Sequence, residues 1–454
     1  MHTTKLLSLS GLAFMLPAML PPALAQQGQP IAGYKLLQTI TIPGGLAGND
    51  ISWVDSANAR YYLADRGNAT ASPVIGPRVD VIDTENGVFL TSIPLTSAAN
   101  GILAIPRAHE LWVGLNDSTI AVIDTTTNLV SHSISTGGTA RADEIAYDPD
   151  DHLVLIANDR DAPPFVSFVS TTAYSVVKRV SYDGVAAPKS TGGIEQPVWD
   201  GPASKFYISI PATSANANGE YDELDPQSLS LTRSIPSTCK GPSGLVLIPG
   251  QRLMSACGDV IDIASGKVVT TVSGVSGDEI WYNDGDQRVY FGGSQNVFVV
   301  DANTYKLITA LVVGVPAAAP LPAQSTHSLA ADEVNNQVFI AVSAAGTGSG
   351  SGVGIQVWRN GASLTIVPNP IPVTGGAADG TATISWKAPN AGETEIHVGS
   401  PAGLLFSQSG NRGSATTGVW VAEGTTFYLQ DVTGGKPLTA DNTLATAVVH
   451  LQQK

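Results

Sequence analysis

Seven stretches of this chain repeat one pattern: a polar residue opens an apolar strand, a second strand follows, and a third often ends in Asp at a turn. The openings are Asn49-Asp50-Ile51-Ser52-Trp53, Asn100-Gly101-Ile102-Leu103-Ala104, Asp143-Glu144-Ile145-Ala146-Tyr147 and Glu195-Gln196-Pro197-Val198-Trp199. Ser243-Gly244-Leu245-Val246-Leu247, Asp278-Glu279-Ile280-Trp281-Tyr282 and His327-Ser328-Leu329-Ala330-Ala331 complete the set. They recur at intervals of 51, 43, 52, 48, 35 and 49 residues. Short strands repeated at that period predict the blades of a β-propeller. In the first blade, strands a to d fall at Ile51–Val54, Tyr61–Ala64, Val79–Ile82 and Val88–Ile93.

The third strand closes on Asp83, Asp124, Asp225, Asp262 and Asp301, with Ser170 and Arg359 in the equivalent places of blades 3 and 7. An Asp there accepts backbone N–H bonds within the next turn, which is a structural role. Ahead of the first blade, Tyr34 to Ile42 reads as an extra outer strand that could pair with the last blade and close the ring. Ala362 to Val367 competes for the same place. The Gly/Ser run from Gly346 to Gly354 lacks the Lys-Ser/Thr of a phosphate-binding loop and reads as a connection within blade 7. The propeller is expected over residues 34–367 and a Pro/Gly linker over 368–378. Residues 379–454, with alternating strands such as Thr381–Trp386 and Thr426–Gln430, are expected to form a small β-sandwich. The fold class is therefore all-β, a seven-bladed propeller followed by a sandwich.

Composition narrows the setting. Lys5, the apolar run Leu6 to Leu20 and Ala23-Leu24-Ala25 read as a signal peptide over residues 1–25, cut near Ala25. No later apolar stretch is long enough to span a bilayer, so a soluble, secreted or periplasmic monomer is expected. Without the signal, 22 basic face 38 acidic residues, a balance of −16 that disfavours nucleic acid and anionic membranes. A protein or small-molecule partner is expected instead. Cys239 and Cys257 are the only cysteines, and an exported pair predicts a disulfide.

The turns Val79-Asp80-Val81-Ile82-Asp83-Thr84, Ala121 to Asn128 and Val299-Val300-Asp301-Ala302-Asn303-Thr304 resemble those of the YVTN-type (YncE-like) β-propeller-repeat proteins of bacteria, which share the WD40-like architecture. The resemblance spans roughly residues 34 to 367 and implies a fold without an assigned activity. Ser385-Trp386 resembles an early strand of fibronectin III and Ig-like domains. Glu195-Gln196-Pro197-Val198-Trp199 is similar to the metal-binding strand of regucalcin/gluconolactonase-type propellers, which implies a divalent ion, Ca²⁺ or Mg²⁺, held by Glu195 with Asp143, Asp278 and Asn100.

If the opening strands are innermost, Asn49, Asp50, Asn100, Asp143, Glu144, Glu195, Ser243, Asp278, Glu279 and His327 ring one channel. Crowded carboxylates there either take up protons or share a cation, and hard oxygen donors favour Ca²⁺ or Mg²⁺. His327, the ring's one imidazole, is the candidate general base. His109, His132 and His152 are expected in surface turns. A second cluster follows strand b: Asp65, Arg66, Asn158, Asp159 and Arg160, expected on a loop face that could bind polar ligands. The chain contains no Gly-x-Ser-x-Gly elbow, no His-Glu-x-x-His and no Cys-x-x-Cys-His, and its seven Trp keep to no single blade position. The leading expectation is a non-enzymatic binding or scaffold protein. The alternative is a metal-dependent hydrolase of lactonase type.

Overall fold

The computed structural model describes residues 34–317, 322–360, 362–388 and 391–453; the expected signal peptide lies outside them. Six four-stranded antiparallel sheets follow one another from Asn49 to Val312, each in simple a-b-c-d order. A seventh is assembled from both parts of the chain. Leu329–Asp332, Gln337–Ala344 and Gly354–Asn360 supply its inner three strands, and Tyr34–Ile40 pairs antiparallel with the third as its outer strand. The competing candidate, Ser363–Val367, pairs instead with Thr383–Lys387 in the C-terminal part. An antiparallel strand supplied by the start of the chain satisfies the last open edge of the ring.

The innermost strands touch their counterparts in the neighbouring blades all the way round. Between each pair of blades lies one apolar cluster, because a twisted sheet with two apolar faces must bury both. At the closing junction Tyr61 of blade 1 stacks on Phe339 of blade 7, ring centres 5.4 Å apart. Polar residues do the turning. Asp83, Asp124, Asp225, Asp262 and Asp301 each accept backbone N–H groups from the following turn, as the sequence predicts. Ser170 does the same for Thr172 and Ala173. His109 and His152 hold the left-handed residue that closes the a–b hairpin, at φ 56° and 55°. His132 differs from expectation: it lies within the strand Leu129–Ser135, stacked on Tyr174 at 3.6 Å.

The C-terminal residues form two main sheets around a separate cluster that includes Leu364, Trp386, Ile396, Phe427 and Leu429. The expected linker is partly structured: Ile371–Val373 pairs parallel with Leu451–Gln453. The hairpin strands Leu404–Ser409 and Arg412–Thr416 escape the sequence pattern because both are largely solvent-facing and polar in part. This unit docks on blade 6. Arg288 pairs with Asp301 and donates to the Leu444 carbonyl at 3.3 Å, while Thr446 donates to Asp301.

Cys239 and Cys257 are joined, Cα atoms 5.9 Å apart. The bond ties the blade 4–5 connection to the b–c turn of blade 5, beside Asp259, which accepts from Ser237, Thr238 and Thr271. Closing a loop of 18 residues is worth about 3 kcal/mol in the unfolded chain. The double variant C239S/C257S should therefore lose about 3 kcal/mol of stability in denaturant unfolding, with an unchanged far-ultraviolet spectrum.

Candidate functional site

The ring sits where the innermost strands begin. In blades 1 and 2 the register with strand b jumps between Asn49 and Ser52 and between Ala99 and Ile102. Such bulges re-aim the residues they contain, here Asp50 and Asn100. In blades 3, 4 and 6 the opening acids extend the ladder instead: the amides of Asp143, Glu195 and Asp278 donate to Ala157, Ser209 and Gly292 at 2.8, 2.9 and 2.9 Å. Neighbouring blades come so close that a Cβ at Gly101 would collide with the Asp143 carbonyl.

A residue that the sequence pattern does not single out organises this mouth. Arg141, two positions before Asp143, binds Asp159 through two nitrogens at 2.9 and 2.8 Å. It also reaches Asp143 at 2.5 Å and Asp50 at 3.2 Å. Arg66 pairs with Asp50 as well and donates to Asn100 Oδ1 at 3.0 Å. His327 Nε2 lies 3.3 Å from the other Asp50 oxygen. Arg160 approaches Asp159 at 3.4 Å from the outside. The ring and the loop cluster are thus one network, joined across blades 1, 2, 3 and 7. Asp65 and Asn158 belong to its scaffold rather than its surface: Asp65 is buried on Arg78 at 2.8 Å, and Asn158 is buried on Ser118 and Thr136, both at 2.9 Å.

Opposite fields sort the carboxylates. Burial would raise Asp50, but the close His327 contact and the charges of Arg66, His327 and Arg141 hold it below the usual range. Burial would lower His327, but the close Asp50 contact and the Asp50 and Asp278 charges outweigh it and raise its affinity for protons. Asp143 is raised well above its ordinary value by burial and by Asp50, with Arg141 opposing. Deeper in the channel, Glu144 and Glu279 are buried and raised well above normal, first by desolvation and then by surrounding carboxylates. Glu195 is pushed up to about 8, by desolvation and then by Asp278 and Asp159. Partial desolvation raises Asp278, exposed at the rim. The crowded acids therefore answer their repulsion with protons. Glu279 accepts from Ser328 at 3.4 Å, while its Oε1 and Glu144 Oε2 make no hydrogen bond among the described residues.

This arrangement does not fit the divalent-ion site implied by the lactonase resemblance. Asp143 spends one oxygen on Arg141 and Asn100 spends its carbonyl on Arg66, so two of the four proposed donors face guanidinium groups. Glu195, Asp143 and Asp278 do not form a three-donor group within 4.8 Å; the one such acid/thiol group among the described residues is Cys239, Cys257 and Asp259, where both sulfurs are in the disulfide. His327 is held by Asp50 with a raised affinity for protons, which favours its cationic ring over the neutral ring that a general base uses. Ser243 turns to the Gly277 and Asp278 carbonyls at 3.2 and 3.1 Å, and Asn49 to the Asp50 carbonyl at 3.2 Å, so both act as joints of the ring.

Two outcomes follow. A carboxylate whose folded-state pKa is raised holds more protons folded than unfolded, so its contribution to stability is full below about 4.5 and falls as pH climbs through its folded value. With Glu195 and Asp80 at about 8 and Asp222 at about 7, melting temperature should fall between about pH 5 and 8. Glu279→Gln should raise it more at pH 8 than at pH 5. Removing the central cation acts in the opposite direction: Arg141→Ala leaves Asp143 and Asp159 buried without their partner and should cost about 3–5 kcal/mol in denaturant unfolding.

No family model matches this chain, and no curated protein does. Many solved chains share its fold. One of them, from a structure described as the crystal structure of the mitotic checkpoint complex, superposes with a TM-score of 0.54 at 13% identity, covering 78% of this chain and 99% of that one. At that identity the likeness concerns the propeller fold alone.

Proposed function

We propose that this protein is an exported binding or scaffold protein that recognises a ligand or partner with the charged mouth of its propeller channel. The observation that carries the reading is a recess of about 250 Å³ lined by Arg66, Arg141 and Arg160, set beside the carboxylate ring. Arg141 is locked in place by three carboxylates, while the side chains of Arg66 and Arg160 are 36% and 69% exposed. Guanidinium forks held beside acids make a surface that selects partners by sign and geometry. Loops raised on a rigid ring of blades are the usual place for such a surface. The turn motifs favour a YVTN-type (YncE-like) propeller, and Ser385-Trp386 favours a C-terminal unit of fibronectin III or Ig-like kind that spaces or attaches it. Lys5, the apolar run and Ala23-Leu24-Ala25 support export to the periplasm or the cell exterior.

The mature chain, immobilised and exposed to the secreted and envelope fraction of its host, should retain a species that elutes with salt. The R66A/R160A variant should retain at least tenfold less, and Lys178→Ala, on an outer strand, should retain as much as the parent. Hydrolysis of lactones or esters that depends on added Ca²⁺ or Mg²⁺ would overturn the reading in favour of an enzyme.

A further inference from the structure

At the far end of the innermost strands, the same channel changes character. The fifth residues of the seven openings are Trp53, Ala104, Tyr147, Trp199, Leu247, Tyr282 and Ala331, and Trp281 joins them from the fourth position. Together they surround a cavity of about 570 Å³ whose walls include the rings of Trp53, Tyr147, Trp199, Trp281 and Tyr282. All five rings are only partly buried. A cavity of several hundred Å³ with mostly apolar walls is the size and make-up of a small-molecule site.

The chemistry of the walls narrows the ligand. Trp53 and Trp281 meet edge to face, ring centres 5.0 Å apart and planes at 76°, so they form a corner rather than a flat platform. Trp199 is braced from behind by Phe206 at 4.7 Å. The lining includes the carboxylates of Asp55 and Glu333 and no Lys, Arg or His. Asp55 is buried on the amide and side chain of Asn58, at 3.1 and 2.7 Å, whereas Glu333 is exposed at the rim. Aromatic faces carry negative potential, and the two carboxylates add to it without a compensating base. An anion is therefore repelled. A metal ion would give up its water for walls that are mostly ring and aliphatic carbon, with the Asp55 oxygens already bonded to Asn58. A cation whose charge is spread over methyl groups loses little hydration on entry and gains from ring faces and acids together. Leu247 and Tyr282 also border a cleft of about 1140 Å³ between the propeller and the C-terminal unit.

We infer that this aromatic cup binds a small organic cation of the quaternary-ammonium class. The site is separate from the charged mouth, and its test does not depend on that reading.

The probe is choline, titrated into the full mature chain by calorimetry and tryptophan fluorescence. Three of the seven Trp residues line the cup, so saturable quenching is expected. The uncharged isostere of choline, with carbon in place of nitrogen, should bind at least tenfold more weakly. Trp281→Leu should weaken choline at least tenfold. Glu333→Gln, at an exposed position that leaves the core untouched, should weaken it about threefold, as loss of one nearby charge would. Equal binding of choline and its isostere would overturn the proposal and mark the cup as a general apolar pocket, such as one for a partner's side chain. Absence of saturable binding, or affinity unchanged in Glu333→Gln when melting is also unchanged, would overturn it as well.

Discussion

The pairing of Tyr34–Ile40 with Gly354–Asn360 is the constraint on which the rest depends. No blade here has a core of its own. Each apolar cluster of the propeller takes side chains from two neighbouring sheets, and the cluster between blades 7 and 1 includes Ile40 and Ile42 from the closing segment. An open ring would expose two apolar sheet faces and one unpaired edge. Closure also draws seven innermost strands to one axis, so their first residues must share a narrow space. Everything distinctive about the channel follows from that crowding.

Crowding at the mouth leaves two ways to accommodate acids, and the chain uses both. Around Arg141, Arg66 and His327, Asp50 is held in its charged form by pairing, whereas Asp143 is raised even beside Arg141. Below them Glu144 and Glu279 have no cation within bonding distance among the described residues and take up protons instead. A buried pair broken on one side costs more than the pair contributes when intact, which makes Arg141 the least replaceable residue of the site. The same logic makes the deep glutamates replaceable by their amides. A neutral carboxylic acid and a carboxamide fill similar space, and neither is an uncompensated charge.

The blade count, the closing acids of strand c, the polar opening column and the disulfide were all legible, because each is a local signal repeated or bounded by chemistry. Asp83 or Asp124 bonds to residues two and three places on, so a single sequence window contains both partners. The hand-over at the end of the propeller was not legible. Ser363–Val367 is an alternating strand that suits either blade 7 or the next sheet, and only the long-range pairing of Tyr34–Ile40 decides. Arg141 was missed for a similar reason. It stands two positions outside the repeat, and its partners Asp50 and Asp159 come from blades 1 and 3. An Arg two residues before an opening acid is the one local signal of its role. The divalent-ion expectation fits the geometry poorly for the same reason, since oxygen donors counted from one column leave out the cations that face Asp143 and Asn100.

The two ends of the channel are not electrostatically independent. Four residue steps separate an opening acid from the aromatic column, about 13 Å along a strand. At that distance and an effective dielectric near 20, unit charges still interact by about 1.3 kcal/mol. Glu144 and Glu279, whose burial favours the protonated form, lie one residue beyond the opening positions. A cation resting among the rings of Trp53, Trp199 and Trp281 would favour the ionised form of those glutamates, and an ionised glutamate would in turn hold the cation more tightly. By linkage the coupling is reciprocal. A channel with a charged mouth, a protonated middle and an aromatic floor is therefore a single electrostatic unit, even though each part is built from side chains that touch only their own neighbours.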